Sequence, residues 1–370
     1  MDSLFITLIL IMSSVCSYAS NSNAYPYKTI KIGDIRLINN ETAGVDSVSV
    51  NDDGTKVCWV AKNKNLKLLI RNSIFHIDLN KPEEVKTYVA KSKFMSLHAR
   101  CTYDAKDNLV LSELSYRPLA IVKSIFSIFT SGELEPLGYN SSFVHTDKWG
   151  KVIRRVNARN LGHRKSTVYI KHPKISPDNK WVAYYTHENK KEMGIYLAHV
   201  ESGKVHKITD LYDKHPMWSQ DGSKILFHHQ KNINGIEMSY LGYYDIEKLD
   251  KDEVSVKRIM IDDLNMTGYS YHKHPVEYPG TNIIYFHGQI KDDGKKYLFA
   301  RKLEVNSSIY KIKMKINDVK FKNSKHPHTS KVNDGLFFVG KSKLDKRYNI
   351  YKLDYYGSNF INNQILKSSY

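Results

Sequence analysis

The chain lacks most of the short motifs that announce a chemistry. Its 370 residues contain no Gly-x-Ser-x-Gly nucleophile elbow, no phosphate loop, no dinucleotide fingerprint and no His-Glu-x-x-His helix. Those absences disfavour serine hydrolases, nucleotide-dependent enzymes and zincin-type proteases, so no nucleotide cofactor is expected. Cysteine is scarce, at three, with no Cys-x-x-Cys pair. A thioredoxin-like redox role is therefore disfavoured too. Acidic residues are under-represented: 38 Asp plus Glu stand against 56 Lys plus Arg, for a formal charge of +18. Long apolar runs are missing after the first 20 residues. The best, residues 118–130, is interrupted by Lys123, so no transmembrane segment is expected beyond the amino terminus.

What is present is a globular, strand-rich composition. Apolar residues make up 41% and charged residues 25%, which excludes a polytopic membrane protein and a disordered chain. The 26 tyrosines and an aromatic content of 12% favour strands over helices. The amino terminus is a separate case. Residues 4–12 are almost wholly apolar and are followed by Ser17-Tyr18-Ala19. A short apolar core before a small-x-small site reads as a secretory signal over 1–19, cleaved after Ala19. Residues 20–370 then form one exported domain, secreted or periplasmic. Cleavage removes Asp2, which raises the charge to +19, and Cys16, which leaves Cys58 and Cys101. An oxidising compartment permits a bridge between these two; a pair of buried free thiols is the alternative.

Internal repeats decide the fold class. Four segments align: HPKISPDNKWVAYYTHE from His172, HPMWSQDGSKILFHHQ from His215, HPVEYPGTNIIYFHGQ from His274 and HPHTSKVNDGLFFVGK from His326. Lysine precedes each His-Pro pair, as Lys171, Lys214, Lys273 and Lys325. In each unit an extended run leads to a tight turn of Asp-Asn, Asp-Gly or Pro-Gly, then to a β-rich apolar run and further strands. Four antiparallel strands in about 45 residues make one propeller blade. Two weaker copies come earlier, VSVNDDGTKVCWVAK from Val48 and LHARCTYDAKDNLVLSEL from Leu97, with His98 expected at the repeated histidine position. The reading is an all-β propeller of six four-stranded blades. Blade two carries an insertion near 117–145, and the amino-terminal run 29–38 completes the last blade and closes the ring.

SPDNKWVAYY, SQDGSKILF and HVESGKVHKITD resemble the TolB-like group of WD40-like propellers. The resemblance spans roughly residues 45–370 and implies a fold, not a role. His172 followed by Tyr185-Thr186-His187-Glu188 and Ile195-Tyr196 is similar to a blade of the oligogalacturonate lyases, propellers usually described as seven-bladed. That second likeness implies a His/Gln-ligated metal acting on an acidic sugar by β-elimination. It would make His187, His215, His274 and Gln289 metal ligands, with Arg154, Arg155 or Arg164 supporting the substrate.

The hairpins themselves bring the histidines together. Residues equidistant from a hairpin turn face each other, which pairs His215 with His228, His274 with His287, His172 with Tyr185 and His326 with Val339. The first strand of a blade lines the central channel, so His172, His215, His274 and His326 should ring one mouth. His187, His228, His229, His272, His287 and His328 are expected close by. Gathered imidazoles are common transition-metal ligands, and Zn or Mn is the expected ion. For each histidine singly, blade architecture copied by duplication is the leading reading; the convergence carries the metal reading. The basic cluster that includes Arg154, Arg155 and Arg164 reads first as a solvated face. The positive charge points to acidic partners such as polyuronates or anionic surfaces, and export disfavours nucleic acid. The leading function is binding of a protein or polyanion at the His-rich mouth. The alternative is a metal-dependent lyase or hydrolase acting on an acidic polysaccharide.

Overall fold

A computed structural model of the chain describes residues 27–31, 35–39, 43–62, 72–88, 96–116, 139–148, 151–163, 169–186, 193–209, 211–264, 270–290, 294–316, 319–331, 335–343 and 347–354. The signal sequence read at 1–19, His187, Arg164 and residues 117–138 lie outside them. Six sheets follow one another along the chain. Blade one is Ala43–Val50, Lys56–Lys62, Asn72–Asp78 and Lys81–Tyr88. Blade two is Ser96–Tyr103, Leu109–Tyr116, Tyr139–Thr146 and Val152–Asn157. Its third strand begins inside the stretch expected as an insertion. Blade three is Lys171–Ile175, Trp181–Thr186, Gly194–His199 and Val205–Lys207. Blade four is Asp213–Trp218, Lys224–Ile233, Ile236–Leu249 and Val254–Met260. Blade five is His272–Glu277, Ile283–Gln289, Lys296–Lys302 and Ile309–Lys313. Blade six supplies Val319–Thr329, Gly335–Ser342 and Asn349–Asp354.

The missing fourth strand of blade six comes from the other end of the chain. Ile35–Asn39 pairs antiparallel with Asn349–Asp354, which closes the ring as expected. The preceding segment does something the repeats do not announce. Tyr27–Lys31 adds to blade five as a fifth strand, parallel to Ile309–Lys313. The first strands of blades one to six contact one another in order, and the sixth returns to the first. They therefore surround the central channel.

Each buried cluster is an interface between two neighbouring blades. Trp181, Ala183 and Tyr185 pack with Trp218, Ile225 and Phe227 of blade four, while Tyr184 on the opposite face packs with Phe143 and Leu161 of blade two. A blade covered on both faces needs apolar residues in unbroken succession along its middle strands, and this is the pattern of WVAYYT and ILF. Cys58 and Cys101 are bonded as a disulfide, which staples blade one to blade two. Among the described residues no helix is long and apolar enough to cross a membrane.

Candidate functional site

The His-Pro pair interrupts the inner hairpin of four blades. Near the turn of blade four the ladder runs as the arithmetic requires, with Met217 opposite Leu226 and Trp218 opposite Ile225. At His215-Pro216 the register slips by one, so Lys214, not His215, stands opposite His228. The same slip sets Lys171 opposite Tyr185, Lys273 opposite His287 and Lys325 opposite Val339. The expected pairings of the four histidines are corrected accordingly. The cause is a β-bulge, which adds a residue to one strand, and proline offers no N–H to be left unpaired there.

At each bulge the histidine takes the left-handed conformation, with φ of 51° at His172, 55° at His215, 55° at His274 and 53° at His326. This backbone costs a non-glycine residue about 1–2 kcal/mol. Glycine would adopt it freely. Four histidines at the same strained position indicate that the side chain is what is kept.

The six equivalent positions lie four residues before the first residue of each inner turn. They are Ser47, Arg100, His172, His215, His274 and His326, and all six line one cavity of about 40 Å³ in the channel. His98 was expected in blade two, but Arg100 stands there, because the inner turn starts at Asp104 and a register shift separates residues 98 and 100. Successive ring centroids are 4.1 Å apart for His172 and His215, 3.9 Å for His215 and His274, and 4.1 Å for His274 and His326. Behind this ring stand two buried histidines from second strands. His228 Nδ1 lies 3.2 Å from His215 Nδ1, and His287 Nδ1 accepts the His326 backbone N–H at 3.3 Å. Tyr185 O–H lies 3.2 Å from His215 Nε2.

Seven of the expected histidines thus gather: His172, His215, His228, His274, His287 and His326 at the ring, and His328, which lines the same cavity. His229 instead bonds Asp213 at 2.8 Å, and His272 bonds Asp262 at 2.9 Å. Gln289 sits opposite Lys296 at the end of its strand and is not among the residues lining the ring cavity. Arg154 and Arg155 lie on the outermost strand of blade two, where Arg154 donates to Val200 O at 2.8 Å and Arg155 to Glu113 at 2.6 Å. They do not line the mouth either.

One layer deeper His328 meets two residues that sequence reasoning missed, Lys174 and Ser49. Lys174 reaches across the channel to Ser49 Oγ at 3.0 Å and His328 Nε2 at 3.1 Å, and Ser49 Oγ is 2.9 Å from His328 Nε2. The signal was available in the repeats, since each of the three lies two residues after a ring position. Burial, with the charge of Arg100 added, pulls the Lys174 amine down to about 7.

The same burial keeps the ring neutral. The His172 imidazole is held well below its usual range by burial and then by Arg100 and Lys174. His215, His274 and His326 are lowered by burial, reinforced by neighbouring imidazoles and cations. Neutral imidazoles offer lone pairs. One ring nitrogen from each of His172, His215 and His274 lies within 4.8 Å of the others. Both nitrogens of His274 are shielded from solvent and have no hydrogen-bond partner among the described residues. A buried imidazole left so is costly unless something binds it. A tetrahedral ion with bonds of about 2.0–2.1 Å holds its nitrogens about 3.4 Å apart, within reach of small rotations here. The donor set is all imidazole, which suits Zn, Cu or Ni better than Mn.

No family model matches the chain, and no curated protein matches it in sequence. Solved structures do. A gluconolactonase from Xanthomonas campestris superposes with a TM-score of 0.51 at 8% identity, over 90% of this chain and 96% of that one. An oligogalacturonate lyase in complex with manganese gives 0.49 at 14%, over 85% and 78%. TolB from Acinetobacter baumannii gives 0.41 at 14%, over 87% and 83%. These are likenesses of fold. The chain is a six-bladed β-propeller. TolB stands among its structural neighbours, and function rests on this chain's own residues.

Proposed function

We propose that the chain is an exported propeller whose histidine ring holds a transition metal and, with it, an acidic ligand. One observation carries this reading: four neutral imidazoles in strained backbone positions face one small cavity, and the His274 nitrogens have no hydrogen-bond partner among the described residues. Charge supplies the second half. Among the described residues no carboxylate lines the cavity, whereas Arg100, paired behind it with Asp46 at 2.6 Å, and Lys174 do. A dication added there increases an already positive field, so an anionic co-ligand is favoured. Of the lysines that precede the ring histidines, Lys273 pairs with Glu237 and Lys325 with Asp46, whereas Lys214 donates to the neutral Gln230. Lys214 and Lys273 lie 5.4 and 4.2 Å from the centroids of Tyr212 and Tyr271. Export is supported by the apolar leader and by the Cys58–Cys101 bond, which belongs to an oxidising compartment.

Zinc-loaded protein is expected to retain polygalacturonate in affinity electrophoresis more strongly than a neutral glucan, with binding that falls as salt rises. Removing the metal should weaken it. Equal retention of the acidic and neutral polymers, unchanged by chelation, would contradict the proposal. The enzymatic form of the same reading, a lyase on an acidic polysaccharide, is favoured by the Lys174 amine, placed beneath the ring where a base is needed. An unsaturated product with ultraviolet absorbance would report it.

A further inference from the structure

A second site lies on the flank of the ring, away from the channel mouth. Between blades two and three the sheets splay into a cleft of about 390 Å³. The cause is local. The fourth strand of blade three, Val205–Lys207, has only three residues and pairs with Tyr196, Leu197 and Ala198 alone. The facing outer strand of blade two is exposed along its length, with Ile153 59% exposed and Val152 41%. The walls are apolar: Val110, Phe143 and Val156 on one side, Ile175, Val182 and Ala198 on the other, with Val110, Phe143 and Ala198 buried and the other three half-buried.

The rim is cationic. Arg154 spans the cleft and donates to Val200 O at 2.8 Å, and its other N–H groups have no partner among the described residues. Lys106 is a second rim cation. The acid at the cleft, Asp104, is fully engaged. It accepts from His145 at 2.9 Å, Asn108 Nδ2 at 3.0 Å, and the backbone N–H groups of Lys106 and Asn108 at 2.8 and 2.9 Å. A volume in the range of small-molecule pockets, apolar walls and a few convergent polar groups define a ligand site.

We infer that this cleft binds an amphipathic organic anion, with a ring-sized or short-chain apolar body between the blades and a carboxylate or sulfonate head at Arg154. The body packs against the half-buried Val156, Ile175 and Val182, and the head meets a guanidinium suited to oxyanion geometry. The site is independent of the metal centre.

The probe is 8-anilinonaphthalene-1-sulfonate on the mature full chain. Saturable binding at one site with blue-shifted emission is expected, with displacement by decanoate. Arg154→Glu, a surface change, should weaken binding by about tenfold or more, the loss of one charge-assisted hydrogen bond, with the melting temperature unchanged. Ala198→Phe should fill the cleft and abolish binding, and His215→Ala should leave it intact. N-phenyl-1-naphthylamine, which lacks the sulfonate, should bind more weakly. No saturable binding, or binding indifferent to both Arg154→Glu and Ala198→Phe, overturns the inference. So does loss of binding in His215→Ala.

Discussion

Acidification from about pH 7 to pH 5 is expected to remove most of the folding stability of the metal-free protein. The imidazoles of His172, His215, His228, His274, His287, His326 and His328 are all held far below their usual range, burial being the largest cause at each. The sign follows from linkage. In the unfolded chain these groups take up protons near pH 6.5, whereas the folded protein refuses them. Protonation therefore favours unfolding, and stability falls as pH drops below about 6.5. Each imidazole that stays neutral contributes a loss of about 1.4 kcal/mol per pH unit. Several such groups act in the same direction, so the loss is expected to be large against the marginal stability of a folded domain.

The buried carboxylates act in a different window. Burial alone would raise Asp213 and Asp262, but the bonds from His229 and Arg258, and the charge of His272, outweigh it and lower both. Asp46 is lowered to about 2 by Arg100 and Lys325 against the same burial. Stability from these groups is present above about pH 4 and lost only as pH falls further. Urea midpoints between pH 7.5 and 4.5 separate the two windows. A steep fall beginning near pH 6.5, made shallower by His274→Gln, is expected. A midpoint constant down to pH 5 would show that the ring is solvated or already charged.

The second large effect is expected at Asp213. Its carboxylate is fully buried and accepts from His229 at 2.8 Å, from Arg258 Nε and Nη2 at 2.9 and 3.0 Å, and from Tyr244 O–H. Asp213→Ala leaves the Arg258 guanidinium and the Tyr244 hydroxyl without their acceptor, a loss of about 3–5 kcal/mol. Asp213 lies two positions before His215 on the same strand, so the variant should also loosen the ring and weaken metal binding. The surface pair of Lys204 and Asp252 is the control. Asp252→Ala should leave the unfolding midpoint where it is, because exposed ion pairs contribute little. If Asp213→Ala unfolds no more readily than Asp252→Ala, the network is not what fixes the start of blade four.

The blade pattern was legible in the sequence because its physics repeats. A turn residue, an apolar strand packed on both faces and a return strand recur often enough to count six blades. The convergence of His172, His215, His274 and His326 was legible for the same reason. Their register was not, because a β-bulge adds a residue without changing composition, and only the proline hints at it. The place of Arg100 was hidden by the register shift between residues 98 and 100, which leaves His98 in the sequence alignment where Arg100 stands in the fold. Lys174, Ser49 and His328 meet across the channel from blades three, one and six. Their equivalence, two residues after a ring position, was in the repeats, but that they touch depends on how the ring closes. Arg154 and Arg155 were read as a charge cluster, but their strand lies at the outer edge of blade two. The parallel strand Tyr27–Lys31 has no counterpart in the repeats.

The most direct measurement is metal analysis by mass spectrometry of the mature protein, purified without a histidine tag or chelator, alongside the His215→Ala/His274→Ala double variant. The account predicts close to one equivalent of Zn or a related imidazole-binding metal in the parent and loss of it in the double variant, with the fold intact by circular dichroism at pH 7.5. A parent that carries no metal and takes up none when Zn, Cu, Ni or Mn is added would contradict it. So would a double variant that keeps the metal of the parent.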